Sequence, residues 1–327
     1  MSATESFDRF AKLNIVIIGD VMIDRYLEGK VNRISPEAPV PVVHLQQEEN
    51  RLGGAANVAR NIVAMGATPY LFCVIGDDAN GALFSRLLPD YDISPKYVQA
   101  DPTRTTTVKT RVIAQHQHLL RVDREAASPI SKERTQLLLK QLRELLDQKE
   151  IHLILFQDYN KGTLTPTLIR EVILEALRRD IPTAVDPKYD NFWAYRHVTL
   201  FKPNLREMQQ QLQESLPPDL PALEKAAREV NRRLGNAYTM ITLSEKGLFV
   251  AGKEVTELIP TQERSIADVC GAGDTVISVM ALGLAAKMDV REIATLANLA
   301  GGQVCEKVGV VPVDREQLAA EYAALQS

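Results

Sequence analysis

Residues 151–188, "IHLILFQDYNKGTLTPTLIREVILEALRRDIPTAVDPK", decide the architecture. The apolar run 151–158 reads as a buried strand, 165–180 as a helix, and "PTAVDPK" (182–188) as a second buried strand. Working outward, the same alternation recurs. "NIVIIGD" (14–20) reads as a strand and "GGAANVARNIVAMGA" (53–67) as a helix. "PYLFCVIGDD" (69–78) and "ANGALFSRLL" (79–88) repeat the pair, as do "VTLFKPN" (198–204) and "NLREMQQQLQ" (204–213). Buried strands alternating with helices predict an α/β fold in three layers, its mostly parallel sheet covered on both faces. In such sheets ligands collect beyond the carboxyl ends of the strands. The polar residues placed there are Asp20, Asp24, Asp158, Asp186, Asn204 and Ser244.

Two stretches break the alternation. "TRTTTVKTRVIAQHQHLLRVDRE" (103–125) alternates β-branched and polar residues, turns at 115–117 and alternates again, as a hairpin does. "EAPVPVVHL" (37–45) is extended, and Pro39 and Pro41 confine it to a sheet edge. Segments of about 25–45 and 103–125 are therefore expected to form a small β lid on a single domain spanning 1–327. A thin β layer cannot bury both its faces alone, so a homodimer through the lid is expected.

Composition narrows the function classes. Lys and Arg number 38 against 42 Asp and Glu, a net charge of −4, so no basic surplus points to nucleic acid. Three dispersed cysteines, Cys73, Cys270 and Cys305, form neither a disulfide framework nor a zinc motif and fit a reduced, cytoplasmic setting. No run reaches the roughly 18 apolar residues of a membrane span, so no membrane partner is expected. His116 and His118 share a strand face, but two ligands without a third do not make a metal site.

The chemistry concentrates in "DVCGAGDTVIS" (268–278). The following "TVISVMALGLAAKM" is apolar almost all round and reads as a buried helix. Its N-terminus offers free N–H groups and partial positive charge, and Gly271, Ala272 and Gly273 leave those donors open as an anion hole. A carboxylate beside such a hole is poorly placed to bind an anion and well placed to take a proton from a hydroxyl attacking a bound phosphoryl group. Asp274 is the candidate base, although an Asp also caps helices.

"DVCGAGDTVIS" resembles the C-terminal signature of the ribokinase-like (PfkB) carbohydrate kinases, with Val269-Cys270 where Thr is common in the family. "RLGGAANVARNIVAMGA" (51–67) is similar to their N-terminal signature, "FKPNLREM" (201–208) carries their N-x-x-E element, and "TLSEKG" (242–247) their nucleotide turn. Five further segments, among them "GDVMIDRYLEGKVNRISPEAPVPVV", "QDYNKG" and "DPKYDNFWAYRHVTLFKPN", resemble the branch that acts on D-glycero-β-D-manno-heptose 7-phosphate. That resemblance implies ATP-dependent phosphorylation of the anomeric O1, on the route to nucleotide-activated heptose for lipopolysaccharide. Members of the branch are often fused to a nucleotidyltransferase, and a chain ending at Ser327 looks like the stand-alone kinase.

The resemblance also implies roles. Asp24 would grip two sugar hydroxyls, Gly53 and Gly54 would let backbone approach the sugar, and Asn57 would hydrogen-bond it. Asp158 joins this substrate set. Among the basic residues Arg104, Lys109, Arg111, Lys161 and Lys188, the pair Arg104 and Lys161 is preferred for the substrate's own phosphate, and Lys188 for the nucleotide. Asn204 and Glu207 would serve phosphates and hydrated Mg²⁺ while also forming a capping box. Ser244, Gly247 and Asn298 would contact the nucleotide. Asp268 would bind a monovalent cation such as K⁺ or brace its loop. Competing readings are a kinase for another sugar or a nucleoside, and a non-catalytic sugar sensor. A nicotinamide enzyme needs G-x-G-x-x-G after the first strand, where this chain has "VMIDRY".

Overall fold

The computed structural model describes residues 3–115 and 117–326. His116 therefore lies outside the described residues. The chain opens with α1 (Ala3–Phe10), β1 (Asn14–Gly19) and a long pair, β2 (Val21–Ile34) and β3 (Pro41–Gly54). Then come α2 (Ala55–Ala64), β4 (Thr68–Gly76), α3 (Ala79–Leu87), β5 (Val98–Asp101), β6 (Val108–Ala114) and β7 (Gln117–Arg124). The middle carries α4 (Lys132–Gln148), β8 (Leu153–Gln157), α5 (Pro166–Arg178), β9 (Thr183–Asp186), β10 (Leu200–Phe201), α6 (Leu205–Leu212) and α7 (Leu220–Leu234). The end adds β11 (Tyr238–Thr242), β12 (Leu248–Ala251), β13 (Thr256–Ile259), α8 (Ala272–Ala285), α9 (Val290–Cys305) and α10 (Arg315–Gln326).

The described residues form a nine-stranded sheet ordered β13-β12-β11-β10-β9-β8-β1-β4-β5. From β5 to β11 every pairing is parallel, and only the β11-β12-β13 edge is antiparallel. Strands such as β1 and β8 are buried on both faces, which explains their unbroken apolar runs. One core packs α2, α8 and α9 on one face of the sheet, and a second packs α4, α5 and α7 on the other. The three-layer expectation holds. Strand order reverses at β1, with β4 on one side and β8 on the other, so the crevice beyond Gly19 and Gln157 is where a ligand site belongs.

The small sheet runs β3-β2-β6-β7. The expected hairpin is present as β6 and β7, but residues 103–107 precede its first strand. The other lid segment is longer than expected, because 21–34 and 41–54 pair through thirteen registered positions. Pro41 opens the edge strand β3, as its missing N–H requires. β2 pairs β6 in parallel, which local sequence did not announce. A second correction concerns 53–67. Gly53 and Gly54 pair with Met22 and Val21 as the end of β3, and the helix starts only at Ala55. Among the described residues no helix is long and apolar enough to cross a membrane.

Candidate active site

α8 begins at Gly271, whose φ of 82° lies in the left-handed region that favours glycine. Its apolar body is buried between α2 and α9, so nearly every residue from Asp274 to Leu282 is enclosed. Asp274, in the first turn, is only 4% exposed. Tyr159 donates its hydroxyl to Asp274 Oδ1 at 2.6 Å, and Gln157 Nε2 donates to the same oxygen at 2.9 Å. Asn57 Nδ2 donates to Oδ2 at 2.9 Å. A carboxylate oxygen has two lone pairs, so Oδ1 is filled and Oδ2 keeps one acceptor site. Burial pushes the Asp274 carboxyl up to about 6, the Tyr159 and Asn57 hydrogen bonds hold it down, and Asp186 and Asp24 add to the rise. A cap would need only exposure to its own helix. A deep carboxylate with an open lone pair and a value near neutrality has the properties of a base.

The sugar-side residues converge on it. Asp24 lies within β2 of the small sheet, not at the end of a main-sheet strand as its sequence position suggested. Its Oδ1 accepts from Arg111 Nη1 at 2.5 Å, a pair that is almost wholly enclosed. The glycines work differently from the expectation. A Cβ on Gly53 would stand 2.1 Å from Asp24 Oδ2, and one on Gly54 would stand 2.5 Å from the Asp20 carbonyl. One on Gly271 would stand 3.0 Å from Asn57 Nδ2. These three make room for the protein's own groups. Gly273 is the one facing open space, with Asp186 Oδ2 at 3.9 Å as its nearest neighbour. Asn57, 0% exposed, leaves Oδ1 without a partner among the described residues. A buried acceptor left open beside a base is a ready contact for a hydroxyl.

The loop after β8 is built on Asp20. Its carboxylate accepts the backbone N–H groups of Tyr159, Lys161 and Thr163 at 2.9–3.0 Å. Two of the residues expected at the substrate are engaged within the protein here. Asp158 accepts from Tyr195, Asn191 and the Asn160 amide, so its enclosed carboxylate braces the loop. Arg104 spends its guanidinium on the carbonyls of Ser128 and Lys161, which fixes the same loop and leaves a ligand only a buried remainder. Lys161 does point toward the small sheet, where Glu125 holds its Nζ at 2.8 Å. Lys109 has no ion-pair partner among the described residues and lies over the Tyr159 ring, 5.4 Å from its centroid.

On the other flank Asn204 caps α6, with the Glu207 amide donating to its side chain and its own amide to Glu207 Oε2, each at 2.8 Å. Glu207 also holds Lys188, whose half-buried ammonium is lowered by desolvation but raised on balance by the Asp186 and Glu207 carboxylates. Asp186 pairs with Lys202 at 3.1 Å and keeps Oδ1 without a partner among the described residues. Ser244 and Gly247 form the turn after β11, and the bridge from Asn204 to Thr242 brings that turn beside the cap. A Cβ on Gly247 would meet the Ile259 carbonyl at 2.1 Å, so its glycine serves packing of the turn. Asn298 on α9 donates to the Pro260 carbonyl at 2.8 Å, at the margin of this flank. Asp268 accepts the amides of Cys270 and Gly309.

The model of the pfkB family carbohydrate kinases matches residues 12–316. The chain belongs to that family. A relative named bifunctional protein HldE from Syntrophotalea carbinolica is 40% identical over 313 residues, covering 95% of this chain and 63% of its own length. One of the same name from Geobacter sulfurreducens is 39% identical over 314 residues, with the same coverages of 95% and 63%. This pfkB-family chain thus spans under two thirds of the curated relatives it matches. Among solved structures, phosphofructokinase-2 from Escherichia coli in complex with potassium superposes with a TM-score of 0.81 at 18% identity, covering 96% of this chain and 99% of that one. Ribokinase from Arabidopsis thaliana complexed with ribose and ATP gives 0.72 at 16%, with coverages of 94% and 98%. The fold is ribokinase-like, and the family makes the chain a phosphotransferase with an alcohol acceptor.

For a pfkB kinase, the residues sequence reasoning overlooked are Gln157 and Tyr159. Both stand in the "QDYNKG" segment, but nothing in that spacing indicates that their polar atoms meet a carboxylate more than a hundred residues later.

Proposed function

We propose that the chain transfers the γ-phosphoryl group of ATP to the anomeric O1 of D-glycero-β-D-manno-heptose 7-phosphate, giving the 1,7-bisphosphate for lipopolysaccharide precursor synthesis. The observation carrying the chemistry is Asp274, buried at the open end of α8 with one acceptor site left on Oδ2. The sugar O1–H gives its proton to that oxygen as O1 attacks the γ-phosphorus. The bond from phosphorus to the β–γ bridging oxygen breaks and ADP leaves. The Ala272 amide donates to the Val269 carbonyl, so the amides of Gly271 and Gly273, with the positive end of α8, would meet the transferred group. Asn57 Oδ1 and the Asp24 carboxylate take neighbouring hydroxyls.

The nucleotide lies along Lys188, Asn204, Ser244, Gly247 and Asn298. Mg²⁺ fits the donors present. Asp186 Oδ1 is an enclosed carboxylate oxygen without a partner, and Glu207 stands across Lys188 from it. Asp186 and Glu207 would hold it through water, and it would neutralise phosphate charge.

Heptose specificity is supported by the segments resembling that branch and by relatives named HldE matching 95% of this chain. Arg104 donates to the carbonyls of Ser128 and Lys161, which favours Lys109 and Lys161 over it as the cations for the substrate's own phosphate. Phosphorus NMR should show the new phosphate coupled to H1, and heptose lacking the 7-phosphate should lose at least tenfold in kcat/KM, about 1.4 kcal/mol. A product phosphorylated elsewhere, or equal use of the free sugar, leaves only a general sugar kinase.

The small sheet is proposed as lid and dimer contact. All eight residues of β7 are exposed, and Ile34, Val40, Leu45, Leu120 and Val122 present apolar surface to solvent. A second copy covering these strands satisfies both apolar face and free edges. Sedimentation at micromolar concentration should give a dimer, and Leu120→Glu should shift it to monomer. A wild-type monomer would reject the contact.

A further inference from the structure

The tyrosine of the 159–163 loop has no assigned part in the reaction, yet it makes the shortest hydrogen bond to the candidate base. Its backbone is fixed, because its amide donates to Asp20 Oδ2 at 2.9 Å and two further amides of the loop bind the same carboxylate. Two ammonium groups lie over its ring, Lys109 Nζ at 5.4 Å and Lys188 Nζ at 5.6 Å from the centroid. Lys109 comes from β6 of the small sheet and Lys188 from the end of β9 in the large one. The phenol therefore stands where sugar side, nucleotide side and base meet. Burial, with the Asp274 charge next, pushes the phenol well above its ordinary value, so it remains a proton donor throughout the working range.

We propose that Tyr159 is a positioning residue for Asp274: with Gln157 it fills Oδ1, so that the acceptor hydroxyl must deliver its proton to Oδ2 on the Asn57 side. The inference rests on Asp274 being the base. Three consequences follow from geometry. The carboxylate cannot rotate without breaking two hydrogen bonds. Its single open acceptor site lies beside the unpartnered Asn57 Oδ1, which orients the incoming hydroxyl. The donors Tyr159, Gln157 and Asn57 work for the ionised form against the burial that opposes it. The charged groups facing Asp274 are Asp186 from β9, Asp24 from β2 and Lys188 beyond β9, with the N-terminus of α8 itself. The two carboxylates oppose ionisation, so loss of the phenol donor leaves that opposition less balanced.

The test is Tyr159→Phe, followed by its pH profile. The acid limb of kcat/KM should move up by about one unit, because a hydrogen bond to the charged form has been removed. Turnover should fall about tenfold below the limb and recover in part at high pH, with the nucleotide KM within about twofold of wild type. An unmoved limb, or a loss equal at every pH, overturns the proposal. If Tyr159→Phe does not fold, 3-fluorotyrosine at position 159 keeps the shape and donates more strongly. The limb should then move down, and an unmoved limb again overturns it. Asp274→Asn separates the two ideas. An inactive Asp274→Asn with an unmoved Tyr159→Phe limb rejects only the positioning role, whereas an active Asp274→Asn rejects the base itself.

Discussion

Asp274→Asn is expected to lower phosphoryl transfer by about 10²–10⁴-fold, the usual worth of a positioned general base, while both substrates still bind within a few fold. The geometry explains why so little else should change. Tyr159 and Gln157 both donate to Oδ1, so the new amide keeps its oxygen there and turns its nitrogen toward Asn57. Asn57 can answer by flipping its own amide, because its Oδ1 has no other partner. The fold is preserved, and a donor now occupies the one position that accepted a proton. The pH dependence of the native enzyme checks the same assignment. Asp274 titrates at about 6 and must be ionised to act, so kcat/KM should rise with pH through that value and fall about tenfold per unit below it. Stability runs the other way. A carboxyl raised on folding favours the fold while protonated, and that contribution is lost as pH rises through about 6. The asparagine variant should therefore melt at least as high as wild type at pH 8, with the difference shrinking toward pH 5. Near-normal turnover at saturating substrate would reject Asp274 as base.

What the sequence makes legible follows the range of the interactions. Parallel strands buried on both faces leave unbroken apolar runs, so β1, β8 and β9 and the layers around them are plain from local pattern. The helix start with its glycines and carboxylate is equally local, since Gly271, Gly273 and Asp274 are neighbours along the chain. The glycine pair 53–54 was legible as a close approach, but not what approaches. The space is taken by Asp24 and by the Asp20 carbonyl, which only the β2–β3 pairing brings there. The partners of Arg104 and Asp158 were hidden for a related reason. A charged residue near a strand end looks available until the tertiary structure shows carbonyls and hydroxyls already bound to it. Tyr159 and Gln157 show the opposite failure, because their importance lies wholly in contacts distant along the chain. The capping box of Asn204 and Glu207, by contrast, spans three residues and was readable in full.

Removing Asp24 should have the largest effect on stability of any site substitution considered. Its carboxylate and the Arg111 guanidinium form an ion pair with side chains only 5% and 10% exposed. Burial works against the Arg111 charge, but Asp24 raises its proton affinity above the ordinary guanidinium value. Breaking such a pair from one side leaves an uncompensated buried charge and costs about 3–5 kcal/mol. Asp24→Ala should therefore lower the urea midpoint markedly, and the proposed grip on the sugar diol predicts a sugar KM raised by tenfold or more as well. The two effects can be parted. In Asp24→Ala with Arg111→Met the orphaned cation is gone, and an apolar side chain of similar length fills the space beside Tyr26, over which the guanidinium lies at 5.2 Å. Much of the lost stability should return, because neighbours sharing one interaction are not additive. The sugar KM should stay high, since no carboxylate has been restored. If single and double variants lose equal stability, the pair is not what holds β2 to β6 at this point. If the double variant binds sugar normally, Asp24 does not grip the diol, and the acceptor must be held by Asn57 and the small sheet without it.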